Sequence, residues 1–288
     1  MSFVQLTDTH KPRSTELFLD TSIHCSTLKG SLFRDRISTV FKLFGWRSTS
    51  TYTKVEFGKV VLSNAEYYLR LLDKYGSLDK TLDHIGNVLP VKLHSAKVVW
   101  SFNLIRRFSG DDDFQATERA RLSLKSLLRL GVAYIDSFCD GPLADGTKCY
   151  WATHCVQKDG SGKYVWKSPK CNRNKKRCRL DDFFIENREE FCRIKHAIDT
   201  MPEEQRSKQL SEFSEVIGKA LSNPQILLDY SSGCRLLADA IIAVDGKNFR
   251  SMFSQNDNES NLLTRVLEQD FYYMPPNPDK GVLVQLTT

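Results

Sequence analysis

Four acidic settings and one cluster of thiols carry most of the chemistry open to this chain. Asp20 closes the apolar run Glu16-Leu-Phe-Leu-Asp20 and is followed by the small polar pair Thr21-Ser22. Glu56 lies in Thr51-Tyr-Thr-Lys-Val-Glu56-Phe57, and Asp239 is the lone acid of Leu236-Leu-Ala-Asp239-Ala-Ile-Ile-Ala-Val244. Asn256 and Asp257 follow Ser254-Gln255. Carboxylates are the ligands that Mg²⁺ or Mn²⁺ prefers, and an ion so held activates water and steadies a leaving oxygen. A carboxylate within so apolar a run as 236–244 is costly unless solvated or liganded. Each acid also has a plain structural use, as a helix N-cap after a strand or as an outward-facing residue. Their order and settings, taken together, single them out.

Five of the eight cysteines, Cys139, Cys149, Cys155, Cys171 and Cys178, fall in one stretch. Thiolates, with or without a histidine, suit a soft tetrahedral ion, so a structural Zn²⁺ is expected. The favoured ligands are Cys149, Cys155, Cys171 and Cys178, with Cys139 the substitute and His154 a further competitor; the plain alternative is scattered free cysteines. From Lys167 to Arg179 there are seven basic residues and no acid. Lys175, Lys176 and Arg177 are therefore candidates for phosphate contact, set against the reading of a solvated charged loop. Trp151, Tyr164 and Trp166 would stack bases or form a small core. Cys25, Cys192 and Cys234 read as ordinary buried residues.

These side chains need elements to hold them. Residues 16–20 read as a short buried strand, and 51–73 as a helix with Phe57, Val60, Val61, Tyr68, Leu71 and Leu72 on its apolar stripe. At 100° per residue Glu66 falls opposite Phe57, facing solvent, whereas Glu56 flanks the stripe in the first turn. Glu56 is thus preferred for the site. Further helices are expected over 115–131, in 180–221, over 232–244 and over 260–268, with strands at 249–253 and 282–286. Strands alternating with helices predict a parallel α/β sheet, in which ligands collect beyond the carboxyl ends of the strands. Asp20 and the run from Ser254 both sit at such ends.

The order of these motifs resembles the PIN domain family: an Asp ending the first strand before small hydroxyl residues, a Glu early in a helix, an Asp heading a D-A-x-I-A segment, and a group after a strand in a T-x-D or T-x-N context, here Ser254-Gln255-Asn256. The resemblance covers about the first 75 residues and the last 60. It implies a PIN-like sheet flanked by helices, built from 1–75 and 224–288. A helical extension (76–138), a cysteine-rich zinc-binding insertion (139–180) and a helical segment (181–223) would interrupt it. It also implies that Asp20, Glu56 and Asp239 hold Mg²⁺ or Mn²⁺, that Asn256 or Asp257 completes the site, and that Ser22 orients water or a phosphate. The activity implied is metal-dependent phosphodiester hydrolysis, RNA favoured over DNA. By fold-level analogy, this suits a bacterial toxin or antiviral effector held by an inhibitor or complex partner. The alternatives are a catalytically weak PIN-like binding or regulatory protein and an unrelated RNA-binding zinc protein.

Composition agrees with a globular chain: 288 residues, 41% hydrophobic, 26% charged and a net charge of +6, which is compatible with nucleic acid. No basic segment leading into an apolar one opens the chain and no window suits a membrane span, so a cytoplasmic location is expected, with no membrane partner.

Overall fold

The computed structural model describes residues 3–7, 10–88, 113–167, 178–229, 233–257, 259–277 and 280–287. The buried run Leu17-Phe-Leu19 lies in strand β2 (Glu16–Leu19), which follows the short edge strand β1 (Val4–Gln5). Helices α1 (Thr21–Ser26) and α2 (Ser31–Phe41) lead to β3 (Trp46–Thr49). Helix α3 (Thr51–Phe57) passes through a π-helical turn at Gly58–Leu62 into α4 (Ser63–Tyr75). Helices α5 (Leu78–Val88), α6 (Asp113–Leu130) and α7 (Ala133–Asp136) follow. A single helical turn, α8 (Trp151–His154), precedes the hairpin of β4 (Val156–Lys158) and β5 (Tyr164–Trp166). Helices α9 (Leu180–Glu186), α10 (Arg188–Asp199), α11 (Lys208–Ser222), α12 (Ile226–Asp229), α13 (Gly233–Leu236) and α14 (Ala238–Asp245) then run to β6 (Ser251–Ser254). Helix α15 (Glu259–Val266) leads to β7 (Asp270–Tyr273) and β8 (Leu283–Gln285).

The main sheet has the order β1-β8-β7-β6-β2-β3. Strands β3, β2, β6 and β7 are parallel, but β8 runs antiparallel to β7 and β1 antiparallel to β8. The expected parallel sheet is therefore mixed. The cause is connection length: 274–282 is too short for the helical crossover that a parallel neighbour needs, so the chain doubles back. The helix expected over 232–244 is interrupted at Leu237, whose φ of −94° and ψ of 11° leave the helical region between α13 and α14.

Side-chain alternation along the strands sorts the two faces. Leu17, Leu19, Phe253, Tyr272 and Val284 build one core with Ile23, Ile37 and Val40 from α1 and α2. Phe18 and Met252 point the other way, into a core made with α9–α11, α14 and α15. Residues 180–221 thus cover one face of the sheet. A second helical core gathers Phe57, Val61, Leu72, Ile85, Leu124 and Leu128, with Cys25 and Leu28 joining it to α1. The segment after α7 is stitched to the sheet edge. Asp140 and Gly141 donate their N–H groups to Arg47 O, each at 2.9 Å, and Ala144 exchanges backbone bonds with Thr49 and Thr51. Among the described residues no helix is long and apolar enough to cross a membrane.

Candidate functional site: a carboxylate pocket at the end of the sheet

The central strands β2 and β6 end side by side. The Asp20 N–H extends their ladder by donating to Phe253 O at 3.1 Å, which sets the Asp20 side chain beside Ser254. Asp20 is buried, 5% exposed as a residue. Its Oδ2 accepts from Ser22 Oγ at 2.6 Å, from Ser254 Oγ at 2.7 Å and, more distantly, from the Ser22 N–H at 3.4 Å. The last bond makes Asp20 the N-cap of α1 as well. Ser22 Oγ receives the Gln255 N–H at 2.9 Å, and Ser254 Oγ receives Ser260 Oγ at 3.2 Å and the Asn256 N–H at 3.0 Å. Every donor reaching Asp20 is neutral: no lysine or arginine among the described residues is ion-paired to it.

Glu56 joins this pocket from α3, a helix capped by Ser50 at the end of β3. Its Oε2 accepts from Thr21 Oγ1 at 2.8 Å, so the residue next to Asp20 in sequence bridges the two acids. Asp239 is half-buried in the first turn of α14, which packs against α3. The three acids do not close into one ready ligand set: among the described residues no three His, Cys, Asp or Glu side chains form a group that could hold a metal ion. The pair Asp20 and Glu56 does fit a hard cation in chemistry: both are oxygen donors, Asp20 buried and Glu56 half-buried, and among the described residues no basic side chain is ion-paired to Asp20.

Three further candidates at this end of the sheet have partners of their own. The Ser22 hydroxyl is committed to Asp20 and Gln255. Asn256 Oδ1 accepts the Glu259 N–H at 3.4 Å, the role of a helix cap before α15. Asp257 is exposed and bonds the Tyr273 hydroxyl, whose pKa is pushed up to about 12 by burial and further by Asp257. Both side chains thus have structural partners. Sequence reasoning passed over Ser254 as an anchor of Asp20, and over Glu259, a buried acid at the start of α15. The signal for Ser254 was its place at a strand end, across from Asp20.

Glu66 does not face solvent. It accepts the Trp166 N–H at 3.0 Å and pairs with Arg70 at 3.6 Å, its side chain only 15% exposed. The π-helical turn between Glu56 and Glu66 breaks the 100° count on which the solvent-facing assignment rested. It nevertheless leaves Glu56, not Glu66, in the pocket.

The expected thiol set divides. Cys149 and Cys178 are close enough to influence each other, and both feel Cys234. Burial pushes the Cys149 thiol up to about 11, and raises Cys178 as well. The Arg179 N–H bond to Thr147 O, 3.1 Å, holds their two segments together. Cys155 is in the second core instead, so near Gly58 that a Cβ there would lie 3.0 Å from its Sγ. Cys139 packs apart from these thiols, by Lys54 and Asp136, and burial pushes it to about 12. Among the described residues Cys139, Cys155 and the pair Cys149 and Cys178 supply no group of three that could hold a metal ion. Cys234, read as an ordinary buried residue, belongs with that pair, and Cys192 is exposed. The ring of His154 stacks on Tyr150 at 3.9 Å. Tyr164 and Trp166 pack against the second core, and Trp151 meets the Tyr150 ring edge-on. Cys171, Lys175, Lys176 and Arg177 lie outside the described residues.

Comparison with protein families, with curated proteins and with solved structures gives no match.

Proposed function

We propose that this chain is a metal-dependent nuclease of PIN-like type that hydrolyses phosphodiester bonds, with RNA the preferred substrate. One observation carries the reading: Asp20, a buried carboxylate with no basic partner among the described residues, follows the inner parallel strand β2 and is linked through Thr21 to a second carboxylate, Glu56. Ligands of such folds collect beyond the carboxyl ends of the parallel strands. A divalent ion held there supplies Lewis acidity and an activated water. Asp20 and Glu56 would hold it, and Asp239 would add a third carboxylate from α14. Ser22 and Ser254 orient Asp20, while Thr21 orients Glu56.

The test is cleavage of labelled single-stranded RNA and DNA with Mg²⁺ or Mn²⁺. The parent should cleave RNA faster, EDTA should stop it, and Asp20→Asn should bind the strand but not cut it. Cleavage that persists in EDTA, or in Asp20→Asn, would sink the proposal.

That no three-acid group closes among the described residues, together with the capping role of Asn256, favours one second reading. It is a catalytically weak protein of the same type whose cysteine-rich segment, with or without zinc, docks RNA or a partner. That protein would bind RNA or its partner equally well as parent and as Asp20→Asn, with no divalent-dependent cleavage from either.

A further inference from the structure

Lys29, between α1 and α2, is half-buried, yet among the described residues it meets no carboxylate. Lys54 and Lys247, also set into the surface, each face one: Asp136 at 2.6 Å and Glu190 at 2.5 Å. The Lys29 ammonium instead donates to the amide oxygen of Gln255 at 2.8 Å and lies 5.2 Å over the Phe33 ring. Ser26 Oγ donates to that same amide oxygen at 2.5 Å. An ammonium has donors only, so the Gln255 amide must turn its oxygen toward Lys29. Its nitrogen is then buried with no acceptor among the described residues. This spot therefore collects donors, a cation and an amide N–H₂, and among the described residues no carboxylate receives them; the Cys25 thiol is the titratable group that acts on Lys29.

It is also tied to the carboxylate pocket. The Gln255 N–H bonds Ser22 Oγ at 2.9 Å, and Ser22 Oγ bonds Asp20 at 2.6 Å. We propose that Lys29, held by Gln255, is a phosphate-binding residue that seats a phosphodiester of the substrate strand beside Asp20. The proposal rests on the nuclease reading for what the strand is, and on the donor geometry for where its phosphate sits. A cation set into an apolar wall is costly when alone, which is why burial lowers the Lys29 pKa. An arriving phosphate oxygen relieves that cost and gains a charge-assisted bond. Lys29 touches substrate without holding the ion, so it acts on binding and position, not on the chemical step.

The experiment measures binding of a labelled single-stranded RNA in EDTA across a KCl titration, for the parent, Lys29→Met and Lys29→Arg. One lost phosphate contact should lower the log–log salt slope by about 0.7, with the arginine variant keeping the parent's slope. Inorganic phosphate is the second probe. It should raise the unfolding temperature of the parent and leave that of Lys29→Met unmoved, with circular dichroism confirming that both are folded. Under Mg²⁺, Lys29→Met should raise KM far more than it lowers kcat. A Lys29→Met protein with the parent's salt slope and phosphate response overturns the site, whether or not the chain cleaves. A parent that binds neither strand nor phosphate overturns it too. Lys29-dependent binding with no divalent-dependent cleavage would leave the site standing and remove the nuclease reading instead.

Discussion

Ser254 shows how a single hydroxyl decides what an acid can do. It donates to Asp20 while receiving Ser260 and the Asn256 N–H, so it locks the carboxylate to the end of β6. Outer partners of metal ligands typically contribute about 10–100-fold to affinity or activity. If Asp20 holds the ion as proposed, Ser254→Ala should lower Mg²⁺-dependent cleavage by about that factor, and Ser254→Thr should keep most of it. Mg²⁺ titrations of the cleavage rate distinguish the two. If Ser254→Ala cleaves as the parent does, Ser22 alone orients Asp20 and the serine at 254 is only a helix-end residue.

At the scale of elements, the π-helical turn Gly58–Leu62 and the β4–β5 hairpin act together. The turn re-aims α4 so that Glu66 meets the hairpin, where it takes the Trp166 N–H at 3.0 Å. Losing the acceptor for a buried N–H costs about 1–3 kcal/mol, and the Trp166 N–H, part-buried, falls toward the low end of that range. Glu66→Ala should therefore destabilise the fold by about that much in urea titrations, and Glu66→Gln should restore most of it, since an amide oxygen can still accept. Hydrogen exchange at the Trp166 amide should quicken in Glu66→Ala. Unchanged exchange there would mean that the hairpin is held by the apolar contacts of Tyr164 and Trp166 alone.

Across the whole molecule, the buried His24 and the half-buried Asp245 give stability opposite dependences on pH. His24 is fully buried with neither ring nitrogen hydrogen-bonded among the described residues, and desolvation, with Lys54 adding, lowers its pKa to about 3. Asp245 holds the segment before α8 through the Gly146 N–H at 3.1 Å and also bonds Ser50. Desolvation raises its pKa to about 6. For His24 the unfolded chain binds more protons, so its stability is present above about pH 6.5 and lost as pH falls toward 3. For Asp245 the folded chain binds more protons, so its stability is present near pH 4 and lost as pH rises to about 6. Between about pH 4 and 6 the two slopes oppose, and the contributions of these two groups should largely cancel. His24→Leu should become less stable as pH rises through that window, and Asp245→Asn more stable. At neutral pH His24→Leu should gain about 1–3 kcal/mol, because two unpaired buried nitrogens are removed. Urea midpoints measured across the window test this. Parallel profiles for all three proteins would mean that neither group is perturbed by folding.

The sequence by itself determined the elements that rest on local pattern: the strand ending at Asp20, the long helix from Thr51, the helix ending at Leu130 and the helical stretch after Leu180. Apolar periodicity and strand alternation are properties of neighbours along the chain, so they are legible there. It also singled out Asp20 and Glu56, because an acid after a buried strand and an acid at a helix start have distinct settings. Weaker local signals hid β3, whose Trp46-Arg-Ser-Thr49 is half polar, along with the six-residue α1 and the antiparallel return of β8. Only the tertiary structure decided which side chains meet across long separations: Ser254 with Asp20, Cys234 with Cys149 and Cys178, Glu66 with Trp166, and Lys29 with Gln255. Those meetings depend on strand order, on a π-helical turn and on loop closure, and each of these places a residue by contacts that no short window contains.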